Sequence, residues 1–284
     1  MSLINFRPEV FSKYLLDHLD KDHVYADLCN RKYEEEIALN GGDTARIFQT
    51  GEINVTDYTG SAVSPQTVTG AETVFTIDQT ATFNFQIQNL DAELANLADP
   101  IGEYLQRAAY QTAEKIDKYV ASVGVAGAGL HAYSGDTIQV VTSSNFLTLL
   151  TIMGQRMDEA NVPKNGRWIV LPPFMNTKMV LAKLPLTTMN EDLITNGRII
   201  RFAGFDIRIS NNVPNDAQAT PTYQILAGTP QSITYAERFK EMKAVDLAPT
   251  GVFSDAVMGL VLYGARVLQP QTLCVAYVQE GTES

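Results

Sequence analysis

The chain has 284 residues, 45% of them hydrophobic, which suffices for a substantial core and, on length, for about two domains. Its formal net charge is −11, from 32 acidic and 21 basic residues, and this excludes a surface built to coat nucleic acid, which needs clustered Lys and Arg. No stretch reaches the roughly 18 consecutive apolar residues of a membrane span: the best, Gly259–Leu268, is broken by Arg266, and Arg7, Glu9 and Lys13 interrupt the N-terminus where a signal peptide needs an apolar run, so a cytoplasmic product is expected.

Residues 8–19 have helical spacing, with Val10, Phe11, Tyr14, Leu15, His18 and Leu19 on one side and Pro8 suited to the first turn. From Asp20 to Asn40 charge rises, most densely at Glu34–Glu36, and the segment reads as an extended arm with a solvated acidic face. The turn Asn40-Gly-Gly-Asp43 opens a lysine-free segment, Thr44–Gln88. Within it Ile53, Val55 and Asp57 alternate with Asn54 and Thr56, and Phe83, Phe85 and Ile87 alternate with Thr82, Asn84 and Gln86, the period of half-buried strands. Thr59–Gly70 between them is small, uncharged turn chemistry. The pattern predicts one projecting β-hairpin of about 20 residues per arm, against a usual strand of roughly 5 or 6. Such a hairpin cannot bury its apolar face alone and calls for a partner.

A short helical stretch is expected at Leu90–Ala98, followed by the clearest helix of the chain. Asp99 suits its N-cap and Pro100 its first position. Ile101, Leu105, Ala109, Ala113, Ile116 and Val120 mark one face over roughly 20 residues, a rod of about 30 Å, and Gly124–Gly129 stops it. A second domain begins near Ser134. There Ser143 or Ser144 is expected to cap a helix carrying Phe146, Leu149, Leu150, Met153 and Met157, ended by Pro163 and Gly166. Arg167–Leu171 reads as a short buried strand, and Pro172-Pro173 stops it and starts a helix through Lys183. Arg198–Ser210 reads as a hairpin turning at Ala203-Gly204. Strands are expected at Tyr223–Ala227, Ser232–Glu237 and Val257–Val267, with Pro270 separating the last from Leu273–Val278.

No reaction centre emerges. His18, His23 and His131 lack metal-ligand spacing and read as packing or surface residues. Cys29 and Cys274 read as two reduced, partly buried thiols, a disulfide requiring the fold to bring them together. There is no Gly-x-Ser-x-Gly elbow, and Gly124–Gly129 lacks the Gly-Lys-Ser/Thr end of a phosphate loop. No catalytic, metal or cofactor residue is assigned, and the chain is not expected to be an enzyme. Strands, a rod and an arm point toward assembly.

Three late segments, Arg167-Trp-Ile-Val-Leu-Pro-Pro173, Gly197–Pro214 and Tyr263–Leu273, follow a start running from Phe6-Arg-Pro through Leu28-Cys-Asn-Arg31 to Gly42-Asp-Thr44. In this order they resemble the Hong Kong 97-like major capsid proteins of tailed bacteriophages, over nearly the full chain. The resemblance implies an α+β fold of the Hong Kong 97-like capsid type, with an N-terminal arm (1–43), an extended E-loop hairpin (44–89), a peripheral domain with a long spine helix (90–133 and 232–256), and an axial α/β domain (134–231 and 257–284). It implies a coat protein assembling as hexamers and pentamers into an icosahedral shell around double-stranded DNA, located in the virion and assembled in the host cytoplasm, with no membrane. Expected partners are further copies of the chain, a separate scaffolding protein, a portal protein and a decoration protein, the DNA being enclosed without sequence-specific binding. The candidate subunit-interface residues are Phe11 and Tyr14 on the arm and Tyr58, Val63, Val68, Phe75, Phe83 and Phe85 on the hairpin segment. Some relatives weld subunits through an E-loop lysine; with none between Thr44 and Gln88, no such covalent link is expected. The alternatives are an encapsulin-type cellular compartment shell and a β-rich phage structural or binding protein outside the shell.

Overall fold

A computed structural model describes residues 23–34, 44–49, 53, 55, 57, 66, 67, 70–88, 100–182, 194, 195, 198, 199, 201–246 and 254–282. The helical stretches expected at 8–19 and 90–98 lie outside these residues. In chain order, a 3-10 turn at Ala26–Leu28 precedes β1 (Thr44–Gln49), β2 (Ala71–Thr76), β3 (Gln79–Gln88), α1 (Pro100–Ala126), β4 (Leu130–His131), β5 (Gln139–Val141), α2 (Phe146–Glu159), β6 (Trp168–Leu171), α3 (Pro173–Leu181), β7 (Ile194–Thr195), β8 (Arg198–Ile199), β9 (Arg201–Phe202), β10 (Phe205–Ile209), β11 (Tyr223–Gly228), β12 (Ile233–Asp246), β13 (Ser254–Val267) and β14 (Cys274–Glu280).

Two sheets carry the architecture. The smaller is antiparallel, in the order β12-β13-β3; the larger runs β4-β14-β11-β6-β10-β9, with β5 also on β14. In β6 every residue is buried, because it lies between β10 and β11 and has a helical layer on each face. Ile169 and Leu171 join Leu149, Leu150 and Met153 of α2 and Met175 and Met179 of α3 in one core, while Trp168 and Val170 face the other way, into a core with Ile116 and Val120 of α1. α1 therefore packs against both sheets. Its middle touches Val261 and Tyr263 of the small sheet, and at Gly124 an added Cβ would stand 2.6 Å from Leu226 of the large one. The expected apolar face is the buried one: Leu105, Ala109, Ala113, Ile116 and Val120 are all at or below 1% exposed.

Local chemistry explains most boundaries. Pro172 and Pro173 start α3, Pro being suited to the first helical turn. Ala203 (φ +50) and Gly204 (φ +84) form the two-residue turn between β9 and β10, the left-handed geometry that matches strand twist. α2 departs from expectation at both ends. Its N-cap is Asn145, not Ser143 or Ser144, and the Asn145 side chain turns back to accept from the Thr142 amide (2.8 Å) and donate to the Val140 carbonyl (2.8 Å), tying the helix to β5. At the other end Asn161 takes a left-handed φ of +55, with Asn161 N–H donating to Asp158 O and Val162 N–H to Met157 O. This closes the helix before Pro163 and Gly166 are reached.

The largest departure concerns the segment 44–88. β1 pairs with β2, Thr44 opposite Thr76 and Gln49 opposite Ala71, so a hairpin exists, but its described paired arms are six residues long. β3 is not its second arm. From Gln79 to Gln88 it pairs with β13 instead, because Ala81, Phe83 and Phe85 bury their alternating face under α1 with Leu105, Val257 and Val261. Ile53, Val55 and Asp57 stand outside any strand, with Ile53 and Val55 exposed. β13 is continuous from Ser254 to Val267 and pairs with β12 from Asp255 to Val267 across one irregularity at Phe239–Glu241, so the division expected between 256 and 257 falls inside a strand.

Candidate functional site

The segment 23–34 and the hairpin β1–β2 both extend from the small sheet, and their attachments form the most elaborate side-chain constellation among the described residues. Asp117 lies on the buried face of α1, between Ile116 and Val120, and is fully buried. A charge there requires partners. Its carboxylate accepts from the backbone N–H of Val24 (2.7 Å), Tyr25 (3.2 Å) and Ala26 (3.2 Å), serving as a cap for the turn Ala26–Leu28. The same carboxylate stands 3.4 Å from Nδ1 of His23, whose Nε2 stands 3.5 Å from Glu237 on β12. Glu237 also accepts from the Tyr235 hydroxyl (2.6 Å) and from the Arg31 guanidinium, which lies over the Tyr235 ring at 5.4 Å. Burial alone would lower the His23 pKa; Asp117 and Glu237 outweigh it and raise it to about 9. Burial works against the Glu237 carboxylate, yet His23, Tyr235 and Arg31 hold it below its usual range. The Tyr25 hydroxyl and the Cys29 thiol are pushed up by burial and by the Asp117 charge.

Beyond this clasp the chain pairs with the sheet edge. Asn30 N–H donates to Ile233 O (2.8 Å) and Tyr235 N–H to Asn30 O (3.1 Å). Tyr25, Ala26 and Cys29 join the core under α1, whereas Tyr33 packs on the hairpin's core with Ala45, Ile47, Phe75, Ile77 and Ala236. The segment thus wraps the edge of β12 from one face to the other. The hairpin root is seated equally closely: an added Cβ on Gly264 of β13 would stand 2.6 Å from Thr76 O and 2.9 Å from Ile77 Cα. On the hairpin's outward face Phe48 (78% exposed) and Val74 (42%) are flanked by the Arg46–Glu72 ion pair at 3.0 Å.

Of the expected interface residues, Phe11, Tyr14, Tyr58, Val63 and Val68 lie outside the described residues. Phe75 is fully buried in the chain's own core, opposite Ala45 on the inward face. Phe83 and Phe85 are half-buried under α1, their rings 6.3 Å apart and Phe85 5.8 Å from Tyr104. Sequence reasoning missed Phe48 and Val74, and it missed the clasp. His23 is buried, as the packing reading has it, though between two carboxylates, and Glu34 is expected on a solvated face. Instead Glu34 pairs with Arg31 at 3.5 Å and accepts from the Glu237 N–H at 3.4 Å. The available signal was Asp117, a charge inside an apolar helical stripe. Cys29 and Cys274 are both free and buried, and no helix among the described residues is long and apolar enough to cross a membrane.

No protein-family model matches the chain, and no curated protein matches it. Solved structures do. A structure from Mycobacterium phage Che8 superposes with TM-score 0.73 at 23% identity, covering 89% of this chain and 90% of that one. The capsid structure of cyanophage P-SCSP1u follows at 0.67 and 19%, covering 84% of each chain. A virus-like particle from Pyrococcus furiosus covers 94% of this chain and 98% of its own at TM-score 0.55 and 15% identity. With its arm, hairpin, long helix and paired sheets, the chain has the Hong Kong 97-like capsid fold.

Proposed function

We propose that the chain is the major capsid protein of a tailed bacteriophage, assembling as hexamers and pentamers into an icosahedral shell around double-stranded DNA. The observation that carries this reading is the likeness to the capsid structure of cyanophage P-SCSP1u over 84% of both chains, which the Che8 phage structure repeats over about nine-tenths of both. In this reading the small sheet with α1 is the peripheral domain, the larger sheet with α2 and α3 is the axial domain, and the hairpin is the E-loop. Shell subunits associate by many contacts that are individually weak, and tethered projections raise the effective concentration of each later contact. A projection works only if its root is rigid, and both roots here are held by buried charge or by direct backbone contact. Phe48 and Val74 supply apolar surface facing outward for a neighbour. Portal, scaffolding and decoration proteins are the partners such a shell would use, and the acidic balance of −11 would keep enclosed DNA from adhering to the wall.

The virus-like particle match supports a second reading, a shell that encloses something other than a phage genome. Negative-stain microscopy of the purified chain tests both: shells, sheets or capsomers are expected, and a persistently monomeric protein overturns them. Portal and terminase genes beside the coding sequence favour the phage reading, and a cargo gene the other.

A further inference from the structure

We propose that the root of the N-terminal arm is a proton-operated latch: His23 ties the arm to α1 and β12 only as the imidazolium, and loss of its second ring proton loosens residues 23–31 from the core. The argument is geometric. Nδ1 faces an Asp117 oxygen and Nε2 faces a Glu237 oxygen, at 3.4 and 3.5 Å. Neither contact has hydrogen-bond geometry, so each is a charge contact with a carboxylate, and only the imidazolium turns a proton toward both. A neutral imidazole has one donor and one lone pair, and in either tautomer that lone pair would point at a buried carboxylate. The ring is held from three elements at once: by its own backbone on the arm, by α1 and by β12.

The surrounding charges sharpen the effect. Among the described residues, the titratable and charged groups of this cluster are Tyr25, Cys29, Arg31 and Glu34 on the arm, Asp117 on α1, and Tyr235 and Glu237 on β12. With His23 charged, the imidazolium and Arg31 balance Asp117 and Glu237. Without that proton Glu237 keeps Arg31, which also serves Glu34, while Asp117 keeps, among the described residues, the backbone amides of Val24, Tyr25 and Ala26. Tyr25, Cys29 and Tyr235 are all pushed upward, so they stay neutral and add no further negative charge as the ring loses its proton. The ring's folded pKa lies near 9, above its ordinary 6.5. The latch is therefore fully closed below 6.5, weakens as pH rises through that window, and is lost above 9. Glu237 is held low, so the latch does not open from its side in mild acid.

Amide hydrogen exchange on the full, unassembled chain from pH 6 to 10, corrected for intrinsic base catalysis, tests this. Opening of residues 23–31 should increase about tenfold per pH unit between the two pKa values and then level off, while amides of 168–171 keep their protection. His23→Gln should abolish that slope, leaving the segment equally loose at every pH. The His23 ring, followed by nuclear magnetic resonance in the wild-type chain, should titrate near 9; this reading decides the matter if the variant does not fold. A ring titrating at its ordinary value, or the same slope in His23→Gln, overturns the latch. Neither measurement depends on the chain forming shells, so the latch and the capsid reading stand or fall separately.

Discussion

Replacing Gly264 by alanine should displace the hairpin root from the sheet. The new Cβ would stand 2.6 Å from the Thr76 carbonyl oxygen and 2.9 Å from Ile77 Cα, where ordinary contacts begin at 3.4 Å. Thr76 O would have to retreat by about 0.8 Å. Both obstructing atoms are backbone, so no rotamer change relieves the overlap. Overpacking of this kind costs about 1–3 kcal/mol, which for a chain of this size lowers Tm by several degrees. The larger effect should be on assembly, because the shift is at the base of a projection. Gly135→Ala provides the comparison: Gly135 has φ +67 and open space around its added Cβ, so strain of about 1–2 kcal/mol arises there without moving the hairpin. Thermal unfolding by circular dichroism and particle yield by sedimentation and microscopy should separate the two. Gly264→Ala should lose both stability and assembly, Gly135→Ala stability alone. Equal particle yield from the two variants, at matched stability, would falsify the claim that this backbone contact aims the hairpin.

Three further outcomes are expected. Phe48→Ser should leave Tm within a degree or two, as exposed substitutions usually change stability by less than about 0.5 kcal/mol, yet reduce particle yield; a normal yield removes Phe48 from the interface. Cys29 and Cys274 are buried and their thiols pushed up, so a thiol reagent at pH 8 should label neither in the native chain and both on unfolding, and rapid native labelling contradicts the burial. Denaturing gels of assembled particles should show only the single-chain band, since the segment Thr44–Gln88 has no lysine; a ladder of heavier bands would refute that.

What the sequence disclosed were features set by local chemistry. The apolar stripe of α1, the two prolines before α3, the Ala203-Gly204 turn and the wholly apolar β6 follow from spacing and backbone preference, and each is where it was expected. Partner choice was not local. The alternation of Phe83 and Phe85 identifies a strand correctly but is silent on which strand lies beside it, and β13, far along the chain, took the place assigned to a hairpin arm. The clasp was hidden for the same reason. His23, Asp117 and Glu237 are separated by about a hundred residues at each step, and only the packing of α1 on β12 brings their charges together. Phe75 illustrates the limit on a single strand: period two places it opposite Val74, but only the fold shows which of the two faces inward.

The edge of β12 is shared by two attachments. Thr234 and Tyr235 hold the arm through Asn30 and Glu237 holds His23, while Ala236, between them, faces the hairpin core and lies opposite Gly264. Within a few residues the strand thus carries one projection on each face, with Tyr33 reaching round to touch the second. Such a junction transmits force. Tension applied to the arm bears on the same strand that seats the hairpin, so in a closed shell a subunit pulled by one neighbour would shift its grip on another.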